Sequence, residues 1–283
     1  MYQLLSIILI NIIVLKYFIQ ISNFINLFDL PDKKRKIHLI KIAPIGGFII
    51  VLNFSILFFF SYLEKNINNI NISIFIFGII FFIIGFFDDK YNLNSILRIF
   101  LYTLICLILI EVNEKINITE LNFIFLDKLI YLGNYSKIFT IFCFLIFLNA
   151  FNMYDGINLQ SSTYSILIFL IFIFKQFYVS LSIVIIISLI FFIILNYKNK
   201  CFLGNNGSLF LAFLISYIFV ESSKSHLFYA DEILLIMLIP GLDLIRLFFE
   251  RIKKKQNPFL ADRNHIHHLL LSKYNLIKTN FIL

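Results

Sequence analysis

Nine apolar runs divide the chain, each near the length at which an α-helix crosses a bilayer, and this pattern restricts the fold to a polytopic helical bundle. The hydrocarbon core is about 30 Å thick, so a spanning helix needs about 20 predominantly apolar residues. The runs cover residues 4–28, 46–63, 72–87, 95–112, 138–154, 159–174, 179–196, 208–221 and 230–250. With 60% hydrophobic residues and 37 Phe, the chain must take lipid rather than water as the solvent for most of its surface. No stretch between the runs is long enough to build a core of its own. Residues 1–283 therefore read as a single integral-membrane domain, all-α, with about nine spans.

Charge sets the expected orientation. Alternating the loops puts 17 of the 24 Lys and Arg residues on one side, with Lys16 inside the first run. The positive-inside rule makes that side cytoplasmic, which leaves the N-terminus outside and the C-terminus inside. The first run is too long for a signal-peptide core and has no small-residue cleavage site, so it reads as a retained helix. The net charge of +8 follows from loop retention and calls for no nucleic-acid partner. Cys106, Cys143 and Cys201 lack disulfide or zinc spacing and read as packing residues. Residues 117–136, on the outer side, have the short apolar stretches of a small hairpin.

Acids contribute little to topology, yet they collect on the cytoplasmic side. Four polar clusters stand out: "FFDDK" with Asp88 and Asp89, "NAFNMYDGIN" at 149–158, "FLGNNGS" at 202–208 and "PFLADRNHIHH" at 258–268. Two adjacent carboxylates at the C-terminal, negative pole of a helix repel one another unless a cation is recruited, and Mg²⁺ would serve. A solvated stop-transfer pair is the plainer alternative. Asn149, Asn152 and Asp155 recur every third residue, a spacing that lines one helix face, either as a site wall or as an interhelical hydrogen-bond seam. Gly156 then allows a turn into the next helix. The two glycines of "FLGNNGS" suit a backbone nest for phosphate, or a helix entry capped by Ser208. His265, His267 and His268 beside Arg263 suit proton-bearing donors to phosphate oxygens better than a zinc site.

Together and in this order, the clusters resemble the polyprenyl-phosphate N-acetylhexosamine-1-phosphate transferases. The match begins at "PDKKRKIH…PIGG", residues 31–47, with Lys36, His38, Gly46 and Gly47 in register, and continues through the four clusters. The resemblance implies transfer of a sugar 1-phosphate from a UDP-N-acetylhexosamine to undecaprenyl phosphate, releasing UMP. It further implies a bacterial inner-membrane enzyme with a cytoplasmic active site, serving O-antigen or other envelope polysaccharide synthesis, and it admits a homodimer. By the same analogy Asp88, Asp89 and Asp155 are catalytic. They bind Mg²⁺ or Mn²⁺ together with Asn205, while Lys36, His38, Asn149, Asn152, Arg263, His265, His267 and His268 bind substrate.

The chain departs from the family pattern in three places. Asn205 stands where members usually have Asp, and Asn keeps an oxygen ligand but loses the charge. Asn158 and Leu159 replace a common Asp-Gly. Fifteen residues follow His268, where members usually continue through one or two further spans. These departures keep a catalytically weakened, lipid-phosphate-binding homologue in play. An ion- or solute-coupled transporter is a third reading, although transporters place ionisable sites near the bilayer midplane rather than at span ends.

Overall fold

The first four apolar runs fold as α1, Tyr2–Ile25, α2, Gly46–Leu63, α3, Asn69–Tyr91, and α4, Ser95–Val112. After a β-hairpin come α5, Ser136–Tyr154, α6, Gln160–Phe174, α7, Val179–Tyr197, and α8, Gly204–Lys224. The last run forms α9, Ala230–Ile236, and α10, Leu238–Lys253, and is followed by the short α11, Ile266–Leu271, and α12, Leu276–Ile282. This computed structural model describes residues 2–31, 41–64, 69–255 and 264–283. Lys36, His38 and Arg263 of the expected binding set lie outside the described residues.

Among the described residues, seven helices are long and apolar enough to cross a membrane: α1 to α5, α7 and α8. The protein is thus a polytopic all-α membrane protein. α6 is equally apolar but has 15 residues, about 22 Å of helix against a core of about 30 Å. The 230–250 run is interrupted at Met237, and Pro240 supplies the cause. Proline has no N–H to give the Ile236 carbonyl four residues back, and its ring crowds that carbonyl. Helical bonding resumes at once, with Met237 N–H on the Ile233 carbonyl and Gly241 N–H on that of Met237.

The chain divides into two compact units. One comprises residues 1–92, 155–211 and 267–283; the other comprises 93–154 and 212–266. In the first, α2 packs on α1, α3 and α7, and α6 packs on α7. Asn11 of α1 and Asn53 of α2, 1% and 0% exposed, exchange amide hydrogen bonds of 3.2 and 2.9 Å. Such pairing satisfies polar groups that lipid cannot.

In the second unit, α5 packs on α4 and α10. Strands β1, Glu120–Phe123, and β2, Lys128–Tyr131, form the hairpin expected from the sequence, antiparallel with Glu120 opposite Tyr131. Its turn is fixed by the Phe125 N–H on the Asp231 carboxylate at 2.9 Å. At the same end Asn113 donates to the Tyr217 hydroxyl, and Lys224 donates to the Glu114 carbonyl.

Candidate active site

The "FLGNNGS" segment is the start of α8, and the first free N–H groups of that helix are already occupied. Asp89 Oδ1 accepts the Asn205 N–H at 2.9 Å, and Oδ2 accepts the Asn206 N–H at 3.0 Å and Asn206 Nδ2 at 2.5 Å. A carboxylate at the positive pole of a helix is electrostatically favourable, which answers the repulsion its own helix end creates. The backbone nest expected for phosphate thus holds a side chain from α3. Ser208 lies inside α8, so the capping group is Asp89. Asp88, one residue earlier, is buried at 3% exposure.

Glycines make this junction possible through space. A Cβ on Gly85 of α3 would lie 2.3 Å from the Asn205 carbonyl oxygen, and one on Gly47 of α2 would lie 2.0 Å from Asn206 Oδ1. The "PIGG" segment therefore sits directly on the α8 entry. Residue 43 bridges residue 201, Gly46 N–H bonds the Phe202 carbonyl at 2.9 Å, and Asn206 Nδ2 reaches the Pro44 carbonyl at 2.7 Å. Gly204 alone among these adopts a positive φ, +77°, a left-handed conformation that suits glycine.

A second set of bonds brings the Asp155 loop to the same end. Asn158 Nδ2 donates to Asn199 Oδ1 at 2.6 Å, and Asn196 Oδ1 accepts the Leu159 N–H at 2.7 Å. Asn196 Nδ2 also donates to the Cys201 carbonyl at 2.9 Å. Residues 43–47, 88–89, 155–159 and 196–206 are thus joined by hydrogen bonds at one end of the first unit. Sequence reasoning passed over Asn196 and Asn199 and gave Asn206 no role of its own within "FLGNNGS"; these three carry the links. An asparagine near a helix end looks the same whether it caps, bridges or faces water.

Asp155 lies one residue past the end of α5, where it accepts a hydrogen bond from the Ser161 hydroxyl of α6. Burial pushes its carboxyl up to about 6, although the Ser161 bond pulls the other way. Gly156 keeps an ordinary negative φ; its lack of a side chain serves another purpose. A Cβ there would meet the His267 ring at 1.9 Å, so the imidazole lies against this backbone. His267 is 1% exposed and packs edge-on to His268, with centroids 4.3 Å apart. His267 is thus not a freely solvated side chain.

The remaining predicted residues belong to the second unit. Asn149 and Asn152 lie in the last two turns of α5, three residues apart as expected, and Asn149 Nδ2 donates to the Leu145 carbonyl of its own helix. His265 is buried at 7% exposure, with Nδ1 turned to Asp243 of α10. Hydrogen bonds and packing bring Asp89, Asn205 and Asn206 together, and Asp155 with Ser161. Gly156 and His267 form a further contact.

Carboxylates with an amide oxygen are the hard donors that Mg²⁺ selects, so Asp88, Asp155 and Asn205 fit that ion in kind. Asp89 fits in part. Its Oδ2 already accepts two N–H groups and its Oδ1 one, leaving lone-pair capacity on Oδ1.

The family model for glycosyl transferase family 4 matches residues 71–223. Over 95% of its length the chain is 26% identical to the undecaprenyl-phosphate alpha-N-acetylglucosaminyl 1-phosphate transferases of Salmonella typhi and of Escherichia coli strain K12, and the match covers 76% of each. A stretch of 153 residues, 50% of the chain, is 29% identical to the Yersinia pestis protein of the same description and covers 42% of it.

Proposed function

Because the chain belongs to glycosyl transferase family 4, we propose that it transfers N-acetylhexosamine 1-phosphate from a UDP-N-acetylhexosamine to undecaprenyl phosphate. One observation carries this reading: hydrogen bonds join the ends of α3, α7 and α8 to the Asp155 loop, so three acids and Asn205 share one end of a compact unit. The reaction is a phosphoryl transfer. A lipid phosphate oxygen attacks the phosphorus that bears the sugar, the bond from that phosphorus to the oxygen bridging it to the UMP phosphate breaks, and UMP departs with the bond's electron pair. A phosphate monoester is already largely ionised at neutral pH, so no strong base is needed. Positioning and charge neutralisation do most of the work.

In this reading Asp88 and Asp155 hold a divalent cation with the Asn205 oxygen, and Asp89 orients the loop that carries Asn205. The cation neutralises charge on the diphosphate when bound. Asn149 and Asn152 bind the sugar nucleotide, as do Lys36, His38 and Arg263. His265, His267 and His268 donate to phosphate oxygens. The active site faces the cytoplasm of a bacterial inner membrane, and the chain forms one transferase domain with nine crossings, N-terminus outside. The substitution of Asn at 205 favours weaker metal affinity than a carboxylate would give.

The test is an assay of membranes containing the protein, undecaprenyl phosphate, Mg²⁺ and a panel of UDP-N-acetylhexosamines, read as UMP release and butanol-extractable sugar. Asp88→Asn and Asp155→Asn are expected to lower turnover at least about a hundredfold, the scale of losing one preorganised electrostatic group. Absence of UMP release with every donor would overturn the assignment.

A further inference from the structure

The hairpin between α4 and α5 is apolar where a hairpin facing water would be polar. Tight turns draw Gly, Asn, Asp, Ser or Pro, which supply unusual backbone angles or local hydrogen bonds. This turn is Ile124, Phe125, Leu126 and Asp127, and only Asp127, at φ +44°, takes a left-handed position that such residues favour. Its three apolar side chains are 55%, 89% and 56% exposed. Strand β2 continues the pattern. Leu129 and Tyr131 point to one face and Ile130 to the other, and all three are exposed, so neither face of that strand is covered.

The arm is nevertheless braced at both ends. At its base the Thr140 hydroxyl of α5, fully buried, accepts the Ile118 N–H at 2.8 Å, and Ser136 of the same helix donates to the Asn117 side chain at 2.7 Å. At its tip the Asp231 carboxylate of α9 takes the Phe125 N–H at 2.9 Å, and α9 packs on β1. That acid gives the turn the order its own residues cannot. A braced arm that keeps three large apolar side chains out of the core presents them to a partner.

The partner adjoining this arm is lipid. α4 and α5 are both long and apolar enough to cross a membrane, and Thr140 lies one turn inside α5, so the base sits where that helix leaves the bilayer. One turn past Asp231, Leu234 and Leu235 of α9 are themselves exposed. Tyr131 and Tyr135, each 74% exposed, are of the type that collects at the membrane–water boundary. Depth is limited from the other direction, because the outer edges of a two-stranded sheet carry N–H and C=O groups that hydrocarbon cannot satisfy.

We propose that Ile124, Phe125 and Leu126 form a membrane-contact site, entering the boundary between headgroups and acyl chains at the surface where α4 ends and α5 begins. The depth matches that of interfacial apolar faces, about 5–10 Å. The strands lie among the headgroups, and Lys128 at the shoulder of the turn keeps its ammonium in that layer, its stem along apolar surface. Asp231 sets the angle of the tip. The proposal is independent of the reaction catalysed. It gives α5, which carries Asn149 and Asn152 in its last two turns, a fixed height in the bilayer.

The chain contains no Trp, so Phe125→Trp places a single emitter at the tip. The full-length variant is placed in lipid nanodiscs, open to solvent on both faces, with and without phospholipids brominated along the acyl chain. Blue-shifted emission, quenching by the brominated lipids at a depth of about 5–10 Å and weak quenching by aqueous iodide are expected. Leu126→Trp, read in the same way, guards against a distortion confined to position 125. Adding Asp231→Ala releases the turn and should raise quenching by iodide. Strong iodide quenching with none from the brominated lipids would place the tip in water and overturn the proposal. Protection from both quenchers would mean that protein, such as a second copy of this chain, covers the tip, and would overturn it equally. Quenching that Asp231→Ala leaves unchanged would overturn the role given to Asp231.

Discussion

Asp155 follows the last turn of α5, where unpaired carbonyls give the helix end a partial negative charge. Its carboxyl stands near 6 rather than the ordinary 3.8, chiefly because protein surrounds it. A folded-state value above the unfolded one means that the folded chain holds the proton more tightly. The stabilisation is complete below about 3.8 and is lost as pH rises to about 6. With divalent cations chelated, the melting temperature of the detergent-solubilised protein should fall across that window, and Asp155→Asn should flatten the fall. A profile identical in the variant would show that this carboxyl is not perturbed. Four residues on, Leu159 has φ +72°, a left-handed conformation in which side chains crowd the backbone. The chain carries Leu here where the family pattern has Gly, and the N–H bond to Asn196 and the hydroxyls of Ser162 and Thr163 on its carbonyl hold it. Leu159→Ile keeps the volume but adds a β-branch, which this region tolerates worst. It should cost about 1 kcal/mol, read as a lower melting temperature, and an unchanged melt would mean that the backbone relaxes.

At the scale of elements, the helices were legible because lipid demands long apolar runs, and all nine reappear as helix. What the pattern could not give is how they end. Pro240 sits inside the last run and divides it into α9 and α10, a local steric effect that hydropathy averages away. Asp88 and Asp89 read as an equivalent pair, but Asp89 spans from α3 to the α8 entry, a pairing across 116 residues. Loss of its charge should therefore be felt in the fold as well as in turnover. Asp89→Asn keeps one acceptor oxygen and turns an NH₂ toward backbone or side-chain donors. The expected cost is about 2 kcal/mol, the range of hydrogen bonds to charged groups, measured as a lower melting temperature and faster proteolysis near residues 202–205. Stability equal to wild type would remove the capping role. The close approach of α2 and α8 makes a parallel prediction. Gly47→Ala would press a methyl onto Asn206 and the Gly207 backbone and should destabilise by about 1–3 kcal/mol. Gly241→Ala, in open space on α10, should stabilise slightly through helix propensity. Equal effects from both would mean that the α2–α8 contact is loose.

For the molecule as a whole, the proposed sidedness rests on which chain ends meet. The Asp29–Ile42 bridge brings the end of α1 to the start of α2, and the Ala43–Cys201 bridge brings that start to the α7–α8 connection. Asp89 joins the end of α3 to the start of α8. Asn158 and Asn199 join the entry of α6 to the exit of α7, so the α6–α7 hairpin leaves and returns on one side despite the shortness of α6. Within the second unit, Lys224 at the end of α8 reaches Glu114 after α4, and Asp231 of α9 reaches the hairpin that precedes α5. Each helix that crosses must reverse the side, so α9 and α10 together would make the ninth crossing over 24 residues, about 36 Å of helix, in spite of the break at Met237. Single cysteines replacing Lys41, Lys90, Lys200 and Lys254 should then be labelled by a membrane-impermeant thiol reagent only after the cytoplasmic face is opened. Cysteines replacing Lys128 and Lys175 should be labelled in intact cells. The native Cys106 and Cys201 are buried and Cys143 half-buried, which keeps the background low. Lys175 and Lys200 on the same side would mean that α7 does not cross. Lys41 and Lys254 on opposite sides would remove the ninth crossing.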